Sequence, residues 1–160
     1  MKKFIFTIIF YFISTTIFGQ NFTLSELVKI NDYQLDDFDT YVTQKGYQYF
    51  ETDNTDYADA TSYVFYVNGV KKSYISKFYY KTKPKEMVSF QTGNKATYLK
   101  IKSDLKILGF RYINTETNDG TTFFNYKKGN IEISLASSVQ ENSYGNKLTN
   151  YEISIQKNVQ

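Results

Sequence analysis

Apolar residues recur at helical spacing in three segments of the chain. A short segment opens with Thr23-Leu24-Ser25-Glu26, a capping-box motif in which Thr23 and Glu26 exchange hydrogen bonds between side chain and backbone at the start of a helix. Two longer segments, the second opening at Asn94, end at Gly46 and Gly109, and glycine often terminates a helix. Their apolar positions are Leu35, Phe38 and Val42 in the first and Tyr98, Ile101, Leu105 and Leu108 in the second. The pattern therefore predicts three helices.

Most of the remaining chain alternates apolar and polar residues, which is typical of half-buried strands. Asn68-Gly69 lies between two such segments and is a strong signal for a tight hairpin, because both residue types tolerate positive φ. The predicted strands are Tyr47–Glu51, Tyr63–Val67, Ser73–Lys81, Met87–Gln91, Phe110–Asn114, Phe123–Tyr126, Ile131–Leu135 and 151–156. The segments Thr52–Ala60 and Ser138–Lys147 are predicted to be loops.

The two halves of the chain resemble each other. The run Gly46–Thr52 matches Gly109–Thr115, which lies 63 residues later, and Val88–Gln91 matches Ile153–Gln156, which lies 65 residues later. These matches predict an α+β fold of tandem helix-plus-four-strand repeats, about residues 23–92 and 94–157, within a single domain spanning 20–160. We expect an antiparallel sheet of up to eight strands with the helices packed on one face. The alternative is a chance similarity between two amphipathic segments.

The first 19 residues have the layout of an export signal peptide. Lys2 and Lys3 precede an apolar run, and Gly19 is a small residue at which cleavage would leave Gln20 as the new N-terminus. The alternative is a membrane anchor. The segment Phe4–Phe18 is too short for one, since a spanning helix needs about 20 apolar residues. We therefore expect export to the periplasm or the medium, with no stable membrane anchor.

Composition excludes several kinds of chemistry. The 160 residues include no cysteine and no histidine, so thiol nucleophiles, imidazole bases and imidazole metal ligands are absent. Residues 20–60 carry nine acids and two lysines, whereas 71–111 carry eleven bases and two acids. The basic segment could bind nucleic acid, but Arg111 is its only arginine, and arginine is the residue favoured for phosphate and base recognition. Charge complementarity between the two segments is the favoured interpretation, and no nucleic-acid partner is expected.

Two groups of residues are candidates for a site. Asp53, Asp56 and Asp59 could surround Ca²⁺, although their spacing does not match an EF-hand and a solvated acidic loop is favoured. No metal or organic cofactor is therefore expected. The aromatic-rich segment 63–80 has aromatics on both sides of a strand, so some must face outward, and exposed tyrosines suit protein interfaces. The candidate partner-binding residues are Tyr66, Tyr74, Tyr79 and Tyr80.

Two resemblances add to these observations. The run from Leu24-Ser25-Glu26-Leu27 through Phe38–Val42 to Lys45-Gly46-Tyr47, behind a leader ending Phe18-Gly19-Gln20, resembles small uncharacterised secreted proteins of Bacteroidota such as flavobacteria. The tandem layout is similar to the β-lactamase inhibitor protein architecture, which implies a sheet that binds a protein.

We therefore expect an exported, non-catalytic binding protein of the cell envelope, such as an inhibitor or an immunity protein. The alternative is a module that binds carbohydrate or a small ligand through exposed tyrosines, and an enzyme that uses a carboxylate pair is the third hypothesis.

Overall fold

Three helices and eight strands follow one another along the chain in this computed structural model, which describes residues 21–82, 85–141, 145 and 147–158. The predicted signal peptide, residues 1–19, lies outside the described residues. The helices are α1 (Leu24–Ile30), α2 (Leu35–Gln44) and α3 (Lys95–Ile107). The strands are β1 (Gln48–Asn54), β2 (Ala58–Val67), β3 (Val70–Tyr80), β4 (Lys85–Thr92), β5 (Arg111–Asn118), β6 (Thr121–Lys128), β7 (Ile131–Glu141) and β8 (Lys147–Asn158).

The eight strands form one antiparallel sheet in the order β1-β2-β3-β4-β8-β7-β6-β5. Strands β1–β4 form one meander and β5–β8 form another, and the last strand of each pairs with the last strand of the other. At the centre of this junction Ser89 lies opposite Ser154, its counterpart at the 65-residue offset. The predicted eight-stranded antiparallel sheet of an α+β fold is therefore confirmed.

Local sequence signals fix where the helices begin and end. The capping box is formed as predicted, with the Glu26 backbone N–H donating to Thr23 Oγ1 at 3.2 Å and the Thr23 backbone N–H donating to Glu26 Oε2 at 2.8 Å. The side chain of Asn94 caps α3 by accepting from two backbone amides of the first turn. Gly46 and Gly109 have φ of +88° and +79°, a conformation that costs little only for glycine.

The core combines helix residues with every second residue of the central strands. The helices contribute Leu27, Phe38, Ile101 and others to a cluster that also contains Ile75 of β3 and Phe90 of β4. The remaining buried strand residues of this cluster are Tyr63, Val88, Ile133, Leu135, Ile153 and Ile155. Because side chains alternate along a strand, one face of each central strand supplies the core and the other holds a second set of side chains.

Both predicted loops are longer than the connections that the structure shows. Within Thr52–Ala60 only residues 55–57 lie between strands, because β1 extends to Asn54 and β2 begins at Ala58. Within Ser138–Lys147 β7 extends to Glu141 and β8 begins at Lys147. Apart from Ala58, Ala60 and Val139 the residues of these strand ends are polar, so they lack the apolar alternation by which sequence identifies a strand. Pairing with a neighbouring strand holds them instead.

No helix among residues 21–82, 85–141, 145 and 147–158 combines the length and the apolar character needed to cross a bilayer.

Candidate functional site

A row of five serines crosses the middle of the sheet on the face that alternates with the core. Each serine lies opposite the next in neighbouring strands, so the row follows from the strand register. In sheet order the row is Ser62, Ser76, Ser89, Ser154 and Ser134. We call this row, together with the side chains that flank it on the same face, the serine face. The flanking residues of the central strands are Val64, Tyr74, Gln91 and Glu152 on one side and Ala60, Phe78, Met87 and Gln156 on the other.

The serine hydroxyl groups bond within the protein. Ser62 and Ser76 form a hydrogen bond of 2.9 Å between their hydroxyl oxygens. Ser89 and Ser154 both donate to Glu152 Oε1, at 2.8 and 2.9 Å. Ser62, Ser76 and Ser89 are buried, because the larger side chains of the flanking rows rise beside them. The row is thus a narrow, polar trough in which the hydroxyl groups of Ser62, Ser76, Ser89 and Ser154 already have partners.

Aromatic side chains of β1, β2 and β3 border one end of this trough. The rings of Phe50 and Tyr74 contact each other at 5.8 Å between centroids, and the Lys71 ammonium lies 4.4 Å from the Phe50 ring. The Tyr74 hydroxyl donates to Glu51 at 2.9 Å, and burial raises its pKa, with the Glu51 carboxylate adding to the effect. Phe50 remains 43% exposed and Tyr66 39% exposed. These residues form an accessible apolar border held in place by polar contacts.

Three of the four predicted binding tyrosines share the serine face and one does not. Tyr66, Tyr74 and Tyr80 each lie at positions that alternate with core residues of β2 and β3. Tyr79 shares the opposite face with Ile75 and lies beside Lys77, whose ammonium is 5.2 Å from its ring. Burial raises the pKa of Tyr79 to about 12, and the carboxylates of Glu86 and Asp36 add to the effect.

The neighbour of Tyr79, Lys77, is a fully buried lysine. Its ammonium donates to the backbone carbonyl of Asn31 at 2.5 Å and to Glu86 at 2.7 Å. Burial lowers the pKa of Lys77, while the Glu86 carboxylate acts against that change. Lys77 therefore ties the end of α1 to the sheet. Its two partners explain how a charge is tolerated there, and they give it a structural role.

The predicted acidic cluster is divided between the two faces of the sheet. Asp53 lies opposite Ala60, whereas Asp59 lies one position away on the other face and forms a 2.7 Å ion pair with Lys81. Asp56 is in the turn, which Thr55 closes by bonding to the backbone of residues 57 and 58. In the described part of the chain, no group of three or more acidic side chains is arranged to hold a metal ion.

Sequence reasoning missed the serine row. Its members lie at positions 62, 76, 89, 134 and 154, and each is an ordinary polar residue in its own strand. The signal is present only when the strand register is known.

Comparisons of the chain with protein-family models, with curated protein sequences and with solved structures found no match.

Proposed function

We propose that the two halves are structural repeats, related about the Ser89–Ser154 pair. Residues 63 apart make the same contacts in the two halves. The Tyr47 N–H donates to Val42 O at 3.1 Å and the Phe110 N–H donates to Leu105 O at 2.9 Å. The edge strands β1 and β5 carry register shifts at equivalent places, after Tyr49 and after Tyr112. Shared irregularities of this kind support a repeat more strongly than shared hydrophobicity does.

We further propose that all three helices cover the core face of the sheet and leave the serine face to a partner. The support is the composition of the core, where residues of α1, α2 and α3 contact strand residues such as Ile75 and Ile153. These strand residues lie on one face of the sheet, and the serines lie on the other face. On this arrangement none of the three helices of the described residues covers the serine face.

From these premises we propose that the protein is an exported, non-catalytic binding protein of the cell envelope that contacts a protein partner through the serine face. The observation that supports this proposal is that half-exposed aromatic side chains lie beside a trough of small serine side chains. Tyrosine supplies a large rigid contact area at low entropic cost, and serine lets a partner approach closely, a combination that also characterises antibody binding surfaces. Phe50, Tyr66, Phe78 and Tyr80 are the proposed anchors.

The state of the serine hydroxyls favours a protein over a carbohydrate as partner. A sugar-binding surface presents free donors and acceptors beside an aromatic ring, whereas Ser62 and Ser76 bond to each other and Ser89 bonds to Glu152. The serine face can therefore bind a ligand mainly through complementary shape and apolar contact area. Such contacts suit the aromatic and aliphatic side chains of a protein. Carbohydrate binding through exposed tyrosines is therefore the second candidate.

Inhibition or immunity is the kind of activity that we propose for the binding protein, because either requires only a surface that blocks a target. The proposal that the protein is not an enzyme rests on composition, since a chain without histidine or cysteine lacks the commonest bases and nucleophiles.

Site-specific photo-crosslinking tests the serine face. A photoreactive phenylalanine analogue is placed at Tyr80, on this face, or at the control position Tyr57, a tyrosine that is 73% exposed in the β1–β2 turn. After expression in the native host, we expect one protein adduct of defined mass from position 80 and none from position 57. Tyr66→Glu should remove that adduct, because it places a charge in the apolar border. Equal labelling from positions 57 and 80 would contradict the proposal.

The alternative and the export proposal have separate tests. Retention of the purified chain on a glycan array, lost in a Tyr66→Ala variant and unaffected by Tyr57→Ala, would favour the carbohydrate module. Mass spectrometry of the protein from the native host should find an N-terminus at or near Gln20. Recovery of intact Met1 in the membrane fraction would refute cleavage.

A further inference from the structure

The sheet has a gap one strand wide at one end of β4. Strand β4 ends at Thr92, which lies opposite Ser73 of β3 and Tyr151 of β8. Both neighbours extend further, since β3 begins at Val70 and β8 begins at Lys147. The overhanging residues 70–72 and 147–150, with the end of β4 between them, line a cleft of about 1000 Å³. We call this the β4 cleft.

The width of the β4 cleft matches one extended peptide segment. Each of β3 and β8 is a direct neighbour of β4, so the two overhangs are two strand spacings apart, about 9.5 Å. Residues 70 and 71 pair with β2 and residues 147–150 pair with β7, on their outer sides. Backbone groups alternate in direction along a strand, and those that point inward have no neighbouring strand beyond Thr92 among the described residues. The cleft thus offers hydrogen-bonding groups along both walls.

The charged side chains that line the cleft are all basic. Lys71, Lys72 and Lys147 line it, and no aspartate or glutamate does. Within the described residues none of these three lysines forms an ion pair, and the Lys71 ammonium lies over the rings of Phe50 and Tyr74. At the base of the cleft a Cβ on Gly93 would meet no atom within 4 Å, so the space above the end of β4 is open. The electrostatic field of the site therefore favours an anionic occupant.

We propose that the β4 cleft binds an extended acidic segment of a protein, which inserts as an added strand between β3 and β8. The two open backbone walls favour a peptide over a free anion or a sulfated saccharide, since only a peptide supplies alternating N–H and C=O groups along its length. Three lysines select aspartate or glutamate side chains on that segment. The overhangs limit the inserted length to three or four residues. The site is separate from the anchors of the serine face, although Tyr74 and Gln91 border both.

Fluorescence polarisation with a short acidic peptide tests the charge requirement. The probe is a labelled six-residue peptide of alternating glutamate and valine with blocked ends, titrated with the chain that begins at Gln20. We expect saturable binding that weakens at least tenfold in a Lys72→Glu/Lys147→Glu double variant. The control is Lys29→Glu/Lys106→Glu, which reverses two exposed lysines away from the cleft and should change affinity less than twofold. No binding at about 1 mM protein overturns the proposal.

Strand insertion requires a second measurement, because exposed lysines attract any polyanion. Peptides with proline in place of valine keep the charge but lose the valine N–H donors, about half of the backbone donors, and we expect them to bind at least tenfold more weakly. Amide hydrogen exchange should slow at residues 70–72 and 147–150 when the original peptide binds. Equal affinity for the proline peptide, or displacement by a sulfated oligosaccharide without any change in exchange, would overturn strand insertion. A Tyr80→Glu variant should bind the peptide normally, which separates this site from the serine face.

Discussion

Gly46→Ala is the substitution that most directly tests how the first helical segment is joined to the sheet. Gly46 has φ of +88°, between α2 and β1, and an added Cβ would lie 3.3 Å from Cε2 of Phe65. The left-handed backbone costs an alanine about 1 kcal/mol relative to glycine. Phe65 packs on the Tyr47 ring, 5.5 Å between centroids, so it cannot move away freely. We expect a total loss of about 2 to 3 kcal/mol in the free energy of unfolding.

Two matched glycines separate these contributions. Gly109 has φ of +79°, but an added Cβ would meet only the end of the Lys128 side chain at 4.0 Å, so Gly109→Ala should cost about 1 kcal/mol. The φ of Gly93 lies outside the left-handed region, and an added Cβ would meet no atom within 4 Å. Gly93→Ala should therefore be neutral within about 0.5 kcal/mol or slightly stabilising. The expected order of destabilisation is therefore Gly46, then Gly109, then Gly93.

Urea unfolding, followed by far-UV circular dichroism, measures all three variants against the parent chain. The free energies of unfolding are compared with a common m-value, the slope of the free energy against urea concentration. If Gly46→Ala proved no more destabilising than Gly93→Ala, neither the positive φ nor the Phe65 contact would govern stability at this junction. If Gly109→Ala cost as much as Gly46→Ala, the contact with Phe65 would be irrelevant and the backbone alone would account for both.

Three further predictions concern stability. Burial would raise the pKa of Glu26, but hydrogen bonds from Lys45, Thr23 and Tyr41 outweigh it and lower the pKa to about 2, from 4.5. A lowered carboxyl pKa gives stability that is present above pH 4.5 and is lost as the pH falls towards 2. Because Glu26 is partly exposed, solvent screening reduces this contribution, and Glu26→Gln should remove about 2 kcal/mol of pH dependence in acid unfolding. An unchanged acid profile would contradict this. Asn94→Ala should cost about 1 kcal/mol in urea unfolding by removing the cap of α3, and no loss would show that the cap is dispensable. A chelator should leave the melting temperature unchanged, whereas a fall of several degrees would reveal a structural metal.

Sequence was sufficient where the determining contacts are local. The capping box at Thr23, the Asn94 cap and the Gly46 and Gly109 helix ends all depend on residues within a few positions of each other, and each was predicted correctly. The Asn68-Gly69 hairpin likewise has positive φ at both residues, 51° and 73°. Local hydrogen bonding and backbone freedom decide such features, and both can be inferred from the sequence.

Features that depend on register could not be predicted. The match between Val88–Gln91 and Ile153–Gln156 indicated similar strands but gave no sign that they pair with each other. Nor could composition show that Lys77 would be buried, because its partners Asn31 and Glu86 are brought to it by α1 and β4. The same limit explains why Tyr79 was grouped with Tyr80, since adjacent residues of a strand face opposite sides.

The pairing of β4 with β8 has a consequence for the order of folding. Strand β8 is the last of the described strands in chain order, and it is the strand of the second meander that pairs with the first. Until residues 151–155 are synthesised and available, Val88 and Phe90 lie on an open strand edge that is paired only with β3. Such an edge associates readily with other chains. A nascent chain that lacks residues 151–155 therefore cannot complete its sheet, and its first meander ends in an open edge at β4. Pulse proteolysis of stalled chains that end before residue 147 should find β4 as susceptible as unfolded peptide.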